Sequence, residues 1–120
     1  MPMLALRSVD GLTLYGWAAL SPTSSRHVYR GVGEVSIYVD PSHGGRGLGR
    51  RLLEALMTCS EEQGFWSLGA GIFPENLASI ALHERCGFRL VGRRERIGQM
   101  PDGRWRDVLL YERRAQTLTA

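Results

Sequence analysis

With 120 residues, the chain is long enough for one hydrophobic core and short for two, so a single domain over 1–120 is expected. A 43% hydrophobic and 22% charged composition excludes a disordered tract, a collagen-like repeat and a coiled coil. The net charge of +3 comes in short clusters broken by acids, as where Arg50 and Arg51 are followed by Glu54, Glu61 and Glu62. No continuous basic stripe can be drawn, so nucleic acid is disfavoured as a partner and a small polyanionic ligand accounts better for the excess.

In chain order, residues 3–20 hold two apolar runs around Asp10-Gly11, a dipeptide suited to a tight turn, and read as a β-hairpin. Residues 21–27 are turn formers and predict a loop; Val28 to Val39 predicts a strand that Asp40-Pro41 ends. From Gly47 to about Gly64, Leu48, Leu52, Leu53, Leu56 and Met57 recur at helical spacing. Residues 65–73 then predict a buried strand closed by Pro74. A second helix follows, with Asn76 as N-cap and Leu77, Ile80, Ala81 and Leu82 as its apolar side before Cys86-Gly87 stops it. Residues 88–97 and 104–112 are β-rich, with the turn former PDG at 101–103 between them. The order is β-β-β-α-β-α-β-β, an α/β (α+β) fold with no internal repeat and no linker.

Cys59 and Cys86 sit in no metal-ligand or redox spacing, and read as reduced thiols. Residues 1–11 lack the pattern of a secretory signal, and no run approaches the ~18 apolar residues of a membrane span. No membrane contact and a cytoplasmic location are therefore expected, and no metal site is predicted. Trp17, Trp66 and Trp105 lie in strand-like apolar runs and are expected in the core, and His27 and His43 on the surface.

The chemistry concentrates in HGGRGLGRRLLE at 43–54, where glycines lead straight into the first helix. Bare backbone N–H groups at a helix N-terminus favour an anion, so phosphate binding is the physical inference. The longer string V-x-P-x-x-G-G-R-G-L-G-R-R-L-L, Val39 to Leu53, resembles the acyl-CoA loop of the GNAT N-acetyltransferase superfamily. Asn76 followed by ALHERCGF at 81–88 is similar to that superfamily's second motif. Gly44 stands where the loop signature has glutamine or arginine, which leaves the grip to backbone donors. The segments EVSIYVDP, AGIFPEN, LHERCGF and GRWRDV resemble the phosphinothricin and methionine-sulfone acetyltransferases, and the stretch from Ser21 to Gly31 the arsinothricin branch.

The resemblance implies a mixed, mainly antiparallel sheet flanked by helices, and transfer of an acetyl group from acetyl-CoA to the amino group of a small amino-acid-like substrate. It places Gly45, Arg46, Gly47, Leu48, Gly49 and Arg50 on the pyrophosphate. Ile37, Tyr38 and Val39 fall on the pantetheine arm, Asn76 lies nearer the thioester, and Arg85 completes the cofactor set. An ammonium must lose a proton before it attacks a thioester, and Glu34, on the strand leading to the loop, is the candidate base. Alternation puts Arg30, Val32 and Glu34 on one face, so Arg30, with Arg26 as a second candidate, is expected to hold a substrate oxyanion. His83 stands where many superfamily members carry the tyrosine that protonates the leaving thiolate, and its near-neutral pKa suits acid or base work.

The resemblance also implies an N-terminally truncated chain, because the superfamily begins with a strand and two helices that residues before 3 cannot supply. An uncovered sheet edge invites self-pairing, so a homodimer is expected. A non-catalytic acyl-CoA-binding domain and a protein N-acetyltransferase stand as alternatives.

Overall fold

The computed structural model describes residues 3–7, 14–40 and 47–116. Strands β1 (Met3–Arg7), β2 (Leu14–Pro22) and β3 (Val32–Val39) precede helix α1 (Leu48–Glu62). Strand β4 (Ser67–Ile72), helix α2 (Leu77–Arg85) and strands β5 (Arg89–Gln99) and β6 (Trp105–Arg114) follow. The six strands form one sheet in the order β1-β2-β3-β4-β6-β5, and the pairs β1–β2, β2–β3 and β5–β6 are antiparallel. The element order is the one the sequence predicts. The chain packs as two compact units, Met1–Leu68 with Arg114–Ala120, and Gly69–Arg113.

In the first unit, α1 lies on β1, β2 and β3. Period-two alternation buries Gly16, Ala18 and Leu20 of β2 toward the helix, with Val35 on β3 opposite Leu20. A Cβ on Gly16 would meet the Tyr38 carbonyl oxygen at 2.5 Å and the Leu52 side chain at 3.1 Å, so a side chain there would push helix and strands apart. Leu52, Leu53 and Leu56 are buried as predicted, each contributing about 1.5–3 kcal/mol. That outweighs the ~1 kcal/mol a side-chain N-cap would add, and α1 has none. Ser60 joins this buried stripe because its Oγ donates to the Leu56 carbonyl at 2.6 Å, whereas Met57 is only half-buried.

Two strand ends and one register differ most from the sequence reading. Strand β2 continues through Ser21 and Pro22, which pair with Glu34 and Gly33. Strand β3 begins at Val32, not Val28, because residues 27–29 form a 3₁₀ turn that Arg30 closes by donating its backbone N–H to the His27 carbonyl. Strand β5 contains a bulge: Arg94 faces Val108 and Gly98 faces Arg106, so two extra residues bulge out of β5 and Arg96 takes φ 49°.

The second unit holds α2 and the β5–β6 hairpin. Asn76 Oδ1 caps α2 by accepting from the Ser79 N–H at 3.1 Å, as predicted. The apolar side expected of this helix is only partly covered: Leu77 is 73% exposed, Ile80, Ala81 and Leu82 are half-buried, and His83 is the helix residue that packs fully inside, its ring edge-on to Phe88. Trp105 is likewise no core residue, at 56% exposure, whereas Trp17 and Trp66 are half-buried. The turn at 101–103 forms as expected, with Met100 N–H on the Arg104 carbonyl at 2.8 Å and Gly103 at φ 90°.

Candidate active site

In the first unit the helix start carries the anion chemistry. Gly47 precedes α1 in the left-handed region at φ 71°, a conformation that costs an L-residue about 1–2 kcal/mol. Among the described residues nothing lies within 4 Å of where its Cβ would be. The first closed turn is Arg51 N–H to the Gly47 carbonyl at 3.1 Å, which leaves the N–H groups of Leu48, Gly49 and Arg50 without intrahelical acceptors. No acid in this first turn opposes the dipole. These features fit a phosphate group. Arg50 is exposed and its guanidinium pairs back along the helix with Glu54 at 3.2 Å. Gly44, Gly45, Arg46 and His43 lie outside the described residues, as does the Asp10-Gly11 turn.

On β3 the face turned away from α1 carries Glu34, Ser36 and Tyr38 in alternation, opposite Ser21, Ala19 and Trp17 of β2. Tyr38 and Trp17 stack with ring centroids 6.2 Å apart. Glu34 is exposed, and among the described residues no cation pairs with it, in contrast to Glu54, Glu75 and Glu112. Ile37 and Val39 lie in the same strand on the α1 side, half-buried.

Arg30 does not share the Glu34 face. It closes the 3₁₀ turn in the helical region, before the strand alternation begins, and its Nη1 donates to the His27 carbonyl at 3.1 Å. Its guanidinium lies 5.3 Å from the centroid of the Trp66 ring, a cation–π contact that sequence could not show. Arg26 and His27 are exposed on the same turn.

In the second unit, His83 is 4% exposed and its Nδ1 lies 2.8 Å from the Ser79 carbonyl. A carbonyl only accepts, so Nδ1 holds the proton, and Nε2, which has no partner among the described residues, presents a lone pair. Burial pulls this imidazole below its usual value of 6.5, with the Ser79 bond acting in the opposite sense, so the neutral form prevails at pH 7. Stabilisation from a histidine whose folded value is depressed is complete above 6.5. It is lost as pH falls through 6.5 toward the folded value, where the unfolded chain binds a proton that the folded chain refuses. Asparagine preserves a donor near Nδ1 and does not titrate. His83→Asn is therefore expected to flatten the fall in stability between about pH 7.5 and about pH 5.5, measured by urea denaturation at each.

Arg85 is exposed in the last turn of α2, and the capping role of Asn76 occupies its Oδ1, leaving the amide N–H groups for another partner. Around them acids pair with part of the arginine charge of the β5–β6 hairpin. Asp107 accepts from the bulged Arg96 N–H and from Arg93 Nε, both at 2.7 Å, and Arg106 pairs with Glu75 at 3.1 Å. The Arg96 amide, then Arg93, holds the Asp107 carboxyl below its ordinary range, and the backbone amide of Glu75, with Arg106, does the same for Glu75. Among the described residues no group of three or more His, Cys, Asp or Glu could hold a metal ion, and no helix is long and apolar enough to cross a membrane.

A glycine-led helix following a β-β-β start, with a capped second helix after the next strand, defines a mixed α/β fold with an anion-suited start to its first helix. The profile of the acetyltransferase (GNAT) family matches residues 8–88, and the chain belongs to that family. It is 37% identical over 111 residues to the L-methionine sulfoximine/L-methionine sulfone acetyltransferase of Pseudomonas paraeruginosa, a match covering 92% of this chain and 63% of the relative. It is 38% identical over 100 residues to the phosphinothricin N-acetyltransferase of Streptomyces coelicolor, covering 83% and 58%. The chain thus spans about three fifths of the length of these relatives. An acetyltransferase of Salmonella typhimurium solved with its cofactor acetyl-CoA superposes at a TM-score of 0.90, at 33% identity, over 99% of this chain and 67% of that one.

Proposed function

We propose that the protein is an acetyl-CoA-dependent N-acetyltransferase acting on the amino group of a small amino-acid-like compound, of the phosphinothricin, methionine sulfone, methionine sulfoximine or arsinothricin type. The observation that carries the reading is the start of α1, where left-handed Gly47 leads into three N–H groups that have no acceptor within the helix, in a chain of this family. The names of the relatives favour amino-acid acetylation over a non-catalytic acyl-CoA-binding domain.

On this reading, residues 1–120 serve as one acetyltransferase domain. Backbone groups of Gly45 to Arg50 hold the pyrophosphate, the Ile37–Val39 backbone lies along the pantetheine arm, Asn76 sits nearer the thioester, and Arg85 completes the cofactor set. Acetyl-CoA supplies the activated carbonyl. Glu34 takes one proton from the acceptor ammonium, and the freed amine forms the amide bond as the carbon–sulfur bond breaks. The second N–H proton goes to the leaving sulfur, with His83 as the proposed donor, although its Nε2 is buried in this structure. Arg26 and Arg30 remain the candidates for the acceptor's oxyanion, with Arg30 acting from the 3₁₀ turn and not from the Glu34 face.

A homodimer in the cytoplasm completes the proposal. The outer position of β5 and the exposure of Leu90, Val91 and Ile97, each about half open, support self-association, and Cys59 and Cys86 as thiols outside any disulfide suit a reducing compartment. Light scattering at micromolar concentration should return the mass of two chains; one-chain mass would exclude the dimer.

The test of activity is a thiol-release assay with acetyl-CoA and a panel of methionine sulfone, methionine sulfoximine, phosphinothricin and arsinothricin. Turnover on at least one is expected. Acetyl-CoA binding without turnover on any would establish the non-catalytic alternative instead.

A further inference from the structure

Within the second unit, a cleft of about 360 Å³ is lined by Pro74, Glu75, Arg93, Trp105, Arg106 and Asp107. None of these belongs to the residues assigned to acetyl transfer. Its volume falls at the lower end of small-molecule pockets, which suits an occupant of amino-acid size.

The polar groups of the cleft are unequally committed. Both carboxylates are in use: Glu75 accepts from Arg106, and Asp107 accepts from Arg93 and from the backbone of Arg96. The guanidiniums have donors to spare. Arg93 gives Nε and Nη2 to Asp107, which leaves Nη1. Arg106 gives Nη2 to Glu75, while its Nε is buried with no acceptor among the described residues. That N–H is covered by protein, so the Arg106 donor left to the cleft is Nη1, which makes no hydrogen bond among the described residues. The Arg106 group is also held flat by the Phe73 ring, 3.9 Å from guanidinium carbon to centroid, so its remaining edge is oriented in advance. Beside these donors stands the Trp105 indole, 56% exposed, an apolar surface that a solvated hairpin tip does not need.

We propose that this cleft binds a small carboxylate with an apolar or aromatic body, the carboxylate taken by Arg106 and Arg93 and the body laid on the Trp105 indole. The planar fork of arginine matches a carboxylate, and the neighbouring acids Glu75 and Asp107 repel any anion too bulky to reach the fork without touching them. The site goes beyond the acetyl-transfer reading and does not depend on it.

The probes are phenylacetate, its neutral amide phenylacetamide, and N-acetylmethionine sulfone, titrated at low salt into the full chain while the tryptophan indole N–H signals are followed by NMR. Loss of one signal in Trp105→Phe assigns that signal. The expected result is a saturable shift at Trp105 with phenylacetate, an affinity for phenylacetamide lower by about tenfold or more, and a similar loss for phenylacetate in Arg106→Gln. Arg106→Lys should recover part of it, because the charge returns without the fork. A comparable response to N-acetylmethionine sulfone would assign the site to amino-acid-like carboxylates; none would assign it to aromatic ones. The proposal is overturned by equal affinity for acid and amide, by an unchanged affinity in Arg106→Gln, or by shifts confined to Trp17 and Trp66. No acetyl-CoA enters this experiment, so a negative result leaves the activity proposal intact, and an absence of turnover leaves this one intact.

Discussion

Glu34→Gln is expected to lower kcat/KM for the acceptor by about 10²- to 10⁴-fold, the usual worth of a positioned general base, while the Kd for acetyl-CoA stays unchanged. Glutamine keeps the size and hydrogen-bonding shape of the side chain but cannot take the ammonium proton. The local structure makes this a clean substitution. Glu34 is exposed on the face of β3 opposite to the one packed on α1, and no cation pairs with it among the described residues, so its ordinary explanation as a strand-edge ion pair has no counterpart here. Fold stability should therefore be nearly indifferent, and steady-state rates are the measurement. A Gln variant as active as the parent would remove Glu34 as the base. A drop that vanishes at high pH, where the acceptor amine loses its proton unaided, would be the strongest support.

That the face of Glu34 could be read from sequence, and that of Arg30 could not, has one physical cause. Alternation along a strand is reliable where the strand exists, and β3 exists from Val32 onward. Val28, Tyr29 and Arg30 have strand-like composition, yet the chain there makes a 3₁₀ turn, a choice set by packing around Gly31 that no local pattern records. Helix α1 was legible because its leucines recur at helical spacing and every one of Leu48, Leu52, Leu53 and Leu56 is buried. Helix α2 was legible through its cap, since Asn76 accepts from Ser79, but not through its apolar residues, because Leu77 is exposed and the buried side chain is a histidine. The cleft of the hairpin lay beyond sequence altogether. Which β5 residues face Trp105 and Asp107 depends on the bulge between Arg94 and Gly98, and two extra residues shift the register of everything that follows them.

Gly31→Ala should be the most damaging single methyl in the first unit. The new Cβ would lie 2.1 Å from Trp66 Cε3 and 2.4 Å from two further ring atoms, far inside contact distance, and neither side can yield cheaply. Backbone bonds hold the indole's residue on both sides: Trp66 N–H donates to the Gly31 carbonyl at 2.8 Å, Ser67 N–H to the same oxygen at 3.1 Å, and Ala115 N–H to the Trp66 carbonyl at 2.9 Å. Swinging the ring away would also remove the surface on which Arg30 rests. Overpacking of this kind costs typically 1–3 kcal/mol and more where the obstacle is rigid, so a loss of at least about 3 kcal/mol is expected by urea denaturation. The cause can be separated from any backbone effect, because Gly31 is not among the glycines at positive φ and alanine meets no dihedral penalty there. Trp66→Leu should accordingly cost less in the Gly31→Ala background than alone, a coupling that a double-mutant cycle reads directly, and strict additivity would show that the ring is not the obstacle. Since β3 starts at the next residue and carries Glu34 two positions further on, the same substitution should depress acetyl transfer before it unfolds the chain.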